Sequence, residues 1–168
     1  MSLLIDFYLG KEPNPDGYMI EDILVNWTDE QLEECHSHIQ WLFPLDEPSQ
    51  YNPDAPIMTA EDIAAFRDQP ELKSYAYATF LRMMGFYGLT ASDGEVNIVD
   101  ADRVKEWSSE FNHNFLRITR ILKSMRLMGR PEYSEALWDV LDEISSSAFT
   151  KDTWIFWDAA ALDPLPVL

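Results

Sequence analysis

His113-Asn114-Phe115-Leu116-Arg117-Ile118-Thr119-Arg120-Ile121-Leu122-Lys123-Ser124 is the stretch whose reading decides the fold. Ile118, Ile121, Leu122 and then Met125 recur at helical spacing and define a face for a core. Arg117 borders that face, whereas Arg120 and Lys123 fall well outside it. Arg117, Arg120, Lys123 and Arg126 stand three apart, so they wind round the helix by about 60° per step and form no single stripe. Five of the chain's 12 Lys and Arg residues lie between His113 and Arg130, with no Asp or Glu among them, on a chain of formal net charge -18. The helix is therefore either the internal counter-ion of an acidic protein or an anion-binding surface.

Helical signals continue on both sides. Gly129 ends this helix and Pro131 begins another, with Leu137, Val140, Leu141 and Ile144 on one face. Thr150 or Asp152 opens a last helix from Trp154 to Ala161, before Asp163-Pro164-Leu165-Pro166 closes the chain. Towards the N-terminus, Asp100 caps a helix holding Val104 and Trp107. Pro70 fits the first turn of a helix that runs to about Tyr87 and ends at Gly88, and Thr59 with Asp62 opens a shorter one through Phe66. Thr28 and Gln31 have capping-box spacing, and Leu32, Cys35, His36, Ile39 and Phe43 then share one face of a single helix stopped by Pro44. Only Val96-Asn97-Ile98-Val99, after the turn Ser92-Asp93-Gly94, alternates like a strand, and without a mate it reads as a loop. Pro44 to Met58 carries four prolines and Tyr51 and reads as an ordered loop packed on the domain. The expected fold is all-α: one irregular domain over residues 1–168, with about six to eight helices and one long Pro-rich ordered loop.

Composition narrows the functional classes. The chain has 30 acidic residues against 12 basic ones, which argues against non-specific nucleic-acid binding and against anionic membrane surfaces. A basic partner or cationic ligand is the easier electrostatic match, although solubility alone accounts for excess acid. Hydrophobic residues form 46% of the chain, enough for a continuous core. Cys35 is the only cysteine, so no intramolecular disulfide and no Cys-based zinc site is expected. The N-terminus has no signal-peptide pattern, and no run approaches the ~20 apolar residues of a membrane span. A soluble, cytoplasmic protein is the expectation.

Two dense words carry a family resemblance: Leu32-Glu33-Glu34-Cys35-His36 with Ile39-Gln40-Trp41-Leu42-Phe43-Pro44, and His113 to Ser124 with Gly129 behind it. Phe7-Tyr8, Pro15-Asp16-Gly17 with Tyr18, Ile20-Glu21-Asp22, Trp27, Ser49, Asn52, Ala55-Pro56 and Phe86-Tyr87-Gly88 add weaker matches in the same order. After Arg130 only Ala148 and Trp157 to Ala160 continue it. The chain resembles the conserved N-terminal region of the opioid growth factor receptor family. That family is named for binding a short opioid peptide, an enkephalin that acts as a growth inhibitor, and is unrelated to seven-helix opioid receptors. The resemblance implies a minimal, single-domain member, compatible with a microbial source, that acts as a receptor-like ligand-binding domain. It implies no catalytic residues and no cofactor.

The candidate ligand-binding residues are Glu33, His36, Gln40, Trp41, His113, Arg117 and Arg120, at the meeting of the two dense words. His36 falls near the middle of the apolar face, where a lone His is ordinarily a satisfied core residue. Gln40, one turn on, can hydrogen-bond His36 or a ligand backbone. Trp41 points roughly opposite, where packing is its ordinary role and a surface groove the functional one. Arg117 is the best candidate, because an Arg at the rim of an apolar face offers a bidentate fork to a carboxylate such as a peptide C-terminus. Against this, the cations as a group are expected to pair with acidic neighbours.

A reading from another class comes from two Glu-x-x-His words, Glu33 to His36 and Glu110 to His113. On a helix that spacing aligns carboxylate and imidazole, and two copies on two helices are the pattern of di-iron carboxylate bundles. Glu106, Glu135 or Glu143 would supply the remaining carboxylates, but no spacing selects among them. Asn112 and Asn114 flank His113 and favour a turn or cap over a helical ligand position. Phosphate loops and nucleophile elbows are missing. The preferred reading is a non-enzymatic domain binding a peptide or small molecule, carboxylate-bearing or basic, without cofactor; a metal-dependent oxidoreductase is the alternative. A far-ultraviolet circular dichroism spectrum dominated by helix, unchanged by a chelator, is expected; a β-type spectrum or loss of structure with chelator would contradict it.

Overall fold

A computed structural model describes residues 1–166. Among these residues the chain forms nine α-helices, a π-helical turn at Asp22–Asn26 and one hairpin. In order they are α1 (Leu3–Tyr8), the π turn, α2 (Asp29–Glu34), α3 (His38–Leu42), α4 (Ala60–Asp68), α5 (Pro70–Phe86), β1 (Leu89–Ser92), β2 (Glu95–Ile98), α6 (Ala101–Ser108), α7 (His113–Leu127), α8 (Pro131–Ile144) and α9 (Lys151–Leu162). No helix among the described residues is long and apolar enough to cross a membrane.

The decisive segment is α7, and its amphipathic pattern places it at the centre. Phe115, Ile118, Ile121, Leu122 and Met125 are buried, and the helix packs along α8 and α9 and touches α5. Asn112 starts it, its side chain accepting from the Asn114 amide at 2.9 Å. Trp157 of α9 locks on from one side, its indole donating to the Phe115 carbonyl at 3.1 Å. Ser134 of α8 does so from the other, donating to the Leu122 carbonyl at 2.7 Å. Capping boxes begin α2 at Thr28 and α4 at Thr59, and Thr150 caps α9, as the sequence predicts.

Three expectations are corrected. The predicted loop at Val96–Val99 holds a strand: β2 pairs antiparallel with β1, Leu89 opposite Ile98 and Ser92 opposite Glu95. Asp93 (φ 51) and Gly94 (φ 77) both take left-handed backbone, which is the two-residue turn that joins twisted strands. The sequence does not set the mate apart, because Gly88 closes α5 and Leu89 begins β1 without an intervening loop. Gly88 itself (φ 76) lies where a Cβ would meet the Asp100 carbonyl at 2.6 Å.

The second correction concerns the helix from Thr28, which is two helices. Cys35 is extended, and the register restarts at Ser37. Leu32 stays buried, but His36 is turned out to solvent while His38, Ile39, Trp41, Leu42 and Phe43 go in. This break, with α1, raises the helix count above the expected six to eight. Third, the Pro-rich loop is ordered but not by Tyr51, which is exposed. Leu45 and Met58 are buried instead, the Met58 amide donates to the Leu45 carbonyl at 2.8 Å, and Gln40 holds Ser49 and Asn52 from below.

His38 is fully buried, edge-on to Trp27, and neither ring nitrogen has a hydrogen-bond partner. Burial lowers its pKa from 6.5 to about 3, Arg117 adding to the effect, with the Cys35 carbonyl too poorly placed for a hydrogen bond and opposing it only weakly. The ring is therefore neutral when folded, and the unfolded chain binds the extra proton below about pH 6.5. The stability tied to His38 is fully present above pH 6.5 and is lost as pH falls toward 3, by at most about 1.4 kcal/mol per unit. Replacing His38 by Leu should flatten the acid limb of a melting-temperature profile between pH 6 and about 4; an unchanged limb would contradict this burial account.

Candidate functional site

The two dense words meet through the cations of α7. Arg117 is 4% exposed, and its guanidinium donates to the carbonyls of Leu32 (2.9 Å), Glu33 (3.1 Å) and Cys35 (3.3 Å), the C-terminal end of α2. Those carbonyls have no intrahelical donors and carry the negative end of the helix dipole. Its Nη2 also touches His36 Nδ1 at 3.3 Å. One turn on, Arg120 donates to the Phe43 carbonyl that ends α3 at 3.1 Å, and Ser124 donates to the next carbonyl, Pro44, at 2.7 Å. Burial pushes the Arg120 pKa down from its ordinary value, with Glu47 opposing. Arg126 donates to the carbonyls of Ala160 and Asp163, at the C-terminal end of α9. Lys123 alone meets carboxylates, Asp46 at 2.8 Å and Glu47 at 3.2 Å, both in the Pro-rich loop. The expected pairing of cations with acidic neighbours is thus corrected: three arginines of α7 hold backbone carbonyls, and only the lysine holds acids.

Above these contacts lies a groove of about 980 Å³. Its floor is the outer face of α7, from His113 through Leu116 and Arg120 to Arg126. One wall is the turn after α2 together with α3 and the Pro-rich loop, presenting His36, Ile39, Gln40 and Tyr51. The other is α9 with the segment after it, presenting Phe156, Ala160 and Pro164 to Pro166. Four cations face the groove, Arg117, Arg120, Lys123 and Arg126, against two carboxylates, Glu47 and Asp163.

Of the predicted residues, His36, Gln40, His113, Arg117 and Arg120 border this groove. Glu33 lies just behind its end, 2.7 Å from His113 Nε2. Glu33 also receives Asn114 at 3.4 Å, and Asn114 accepts from the buried Tyr87 hydroxyl at 3.2 Å. Burial lowers the His113 pKa, and Glu33 opposes the shift. Trp41 is elsewhere: it is 6% exposed and packs edge-on to Phe7 at 5.4 Å, because the restarted register of α3 turns it into the core. The Gln40 amide is taken by the loop residues Ser49 and Asn52, so it braces the wall. Lys123, Arg126, Leu116, Tyr51 and Phe156 join the predicted residues at the groove. Tyr51 at 79% and Phe156 at 62% exposure are large apolar side chains left beside cations, which is the structural signal for them.

The Glu-x-x-His geometry required by the metal reading does not form. Each word straddles a helix end, Glu33 to His36 the end of α2 and Glu110 to His113 the turn before α7, so the one-face argument lapses. His36 and His113 do stack edge-on at 5.4 Å, but Arg117 stands at His36 Nδ1, where a cation opposes a metal ion. Glu110 is exposed, and its carbonyl accepts from Asn112 at 2.8 Å. Among the described residues no three His, Cys, Asp or Glu side chains are grouped to hold a metal ion.

Comparison with known proteins agrees with the two dense words. Residues 2–148 match the family described as the opioid growth factor receptor (OGFr) conserved region. The chain is similar to the opioid growth factor receptor of Mus musculus, 40% identical over 131 residues that make up 73% of this chain and 20% of that protein. It is 39% identical over 131 residues to the Homo sapiens receptor, covering 73% of this chain and 19% of that protein. Opioid growth factor receptor-like protein 1 of Xenopus tropicalis is 38% identical over 137 residues, 78% of this chain and 27% of that protein. The chain thus spans about a fifth to a quarter of the length of these relatives. No solved structure matches it at a significant level.

Lysine at position 117 separates a structural fork from a ligand contact. A single ammonium reaches one of the three carbonyls, and each buried acceptor left unpaired costs about 1–3 kcal/mol. Arg117→Lys should therefore lower the melting temperature by roughly 5–10 °C, as about 2–3 kcal/mol implies for a domain of this size. An unchanged melting temperature would mean that the guanidinium does not hold the end of α2.

Proposed function

The chain belongs to the opioid growth factor receptor conserved-region family, and on that premise we propose that it is a non-enzymatic, receptor-like domain that binds a peptide or small ligand in the groove above α7. The single observation that carries this reading is the groove itself: about 980 Å³, with a cationic floor and apolar rims, where the two dense words of the sequence meet. Binding sites of that size and mixed lining are concave, mostly apolar and oriented by few polar groups. The relatives' name, opioid growth factor receptor, supports a peptide as the ligand type. His36, His113 and Arg120 are the polar groups we assign to ligand contact; Arg117 and Gln40 hold the walls in place, and Glu33 orients His113. A lone, unpaired cysteine supports a cytoplasmic placement.

Tyr51 and Phe156 stand on opposite rims and are largely exposed, so truncating them leaves stability within about 0.5 kcal/mol. In a thermal-shift screen of opioid peptides of the enkephalin type, other short peptides and small carboxylates, at least one should raise the melting temperature of the wild-type chain. The double variant Tyr51→Ala/Phe156→Ala should melt at the wild-type temperature and lose that rise. A rise that survives in the variant would place the ligand outside the groove, and no rise with any compound would contradict the reading.

A further inference from the structure

Resting on the groove as the binding site, we propose that its occupant is an extended acidic peptide of about six residues, carboxylates alternating with apolar side chains. The chemistry begins with an imbalance. The whole chain carries -18, yet the groove is lined by four cations and two carboxylates, and of the cations only Lys123 is neutralised, by Asp46 and Glu47. Among the described residues, none of Arg117, Arg120 and Arg126 lies within ion-pair distance of an acid; their nearest acceptors are neutral carbonyls. A carbonyl satisfies an N–H but leaves the unit charge in place. Arg120 uses one N–H on Phe43, and among the described residues its remaining donors, four by the inventory of a guanidinium, have no hydrogen-bond partner; a planar carboxylate can take two of them.

Length follows from the floor. His113 to Arg126 spans 13 residue steps of α7, about 20 Å at 1.5 Å per residue. An extended chain rising about 3.3 Å per residue covers that distance with six residues. Its side chains alternate, so every second one faces the floor and meets the cations, while those between meet Tyr51, Phe156 and Leu165 on the rims. Carboxylates suit the floor better than phosphate dianions, because Glu47 and Asp163 already border the groove and repel a second negative charge at each position.

The test uses three hexapeptides, acetylated and amidated so that their ends carry no charge: Glu-Leu-Glu-Phe-Glu-Leu and its versions with Gln or with Lys in place of Glu. Their affinities are measured by fluorescence anisotropy on the full chain, beside an opioid peptide of the enkephalin type. The Glu peptide should bind at least tenfold more tightly than the Gln peptide, and the Lys peptide more weakly still. Arg120→Gln should weaken the Glu peptide at least tenfold. Because Arg120 also holds the end of α3, a second variant is needed: Leu116→Glu, on an exposed floor position, should melt as wild type, lose the Glu peptide by tenfold or more and gain the Lys peptide. Equal or tighter binding of the Gln or Lys peptide by the wild-type chain overturns the acidic assignment and leaves the groove a peptide site. Failure of all three while the opioid peptide binds does the same; failure of all four overturns the acidic assignment, and the groove reading then stands or falls on the thermal-shift screen. A Glu peptide that binds Leu116→Glu as well as wild type also overturns the proposal, because it lies elsewhere.

Discussion

Guanidinium groups closing helix C-termini from another element are the interaction on which this architecture depends. Arg117 closes α2, Arg120 closes α3 and Arg126 closes α9, all from α7. Two more follow the same rule: Arg103 donates to Phe86 at the end of α5 at 2.7 Å, and Arg82 donates to Trp27 after the π turn at 3.1 Å. Each union satisfies carbonyls that have no intrahelical donor and sets a cation against the negative end of a helix dipole. Hydrogen bonds to a charged group contribute about 1.5–3 kcal/mol each, so these are strong tertiary ties. They matter most for α2 and α3, which are six and five residues long and too short to hold themselves together.

The same arrangement makes the groove. A fold that paired its arginines with carboxylates would have left a neutral surface. Here the acceptors of the three arginines are neutral, so their positive charge persists beside the groove while the helix ends they gather form the two walls. The arginines differ in how much of each guanidinium is engaged. The Arg117 fork is spent on three carbonyls and a histidine, whereas Arg120 makes a single hydrogen bond among the described residues.

Legibility in the sequence followed locality. Capping boxes at Thr28 and Thr59, the Asn112 cap and the apolar period of α7 are encoded within one or two turns, and each formed where the sequence placed it. The break at Cys35–Ser37 is not written locally: the α2 carbonyls it frees are taken by Arg117, more than eighty residues away. That single event exchanged the roles of His36 and His38, and it carried Trp41 into the core. The meeting of the two dense words was legible as an expectation of contact. The opposite wall was not, since Phe156 and the Asp163 to Pro166 segment carry no motif and reach the groove only through the packing of α9 on α7.

An acidic chain that keeps a basic groove divides its electrostatics by distance. The Debye length is about 8 Å at physiological ionic strength, so the excess acid on the outer surface is largely screened from a ligand seated on α7. Within the groove the cations act at contact distance, between apolar rims that lower the local dielectric and strengthen them. At low ionic strength, where the Debye length grows to about 30 Å, an approaching anion meets the field of the whole chain before that of the floor. The contrast between the two fields exists because the arginines of α7 are held by carbonyls and not by acids.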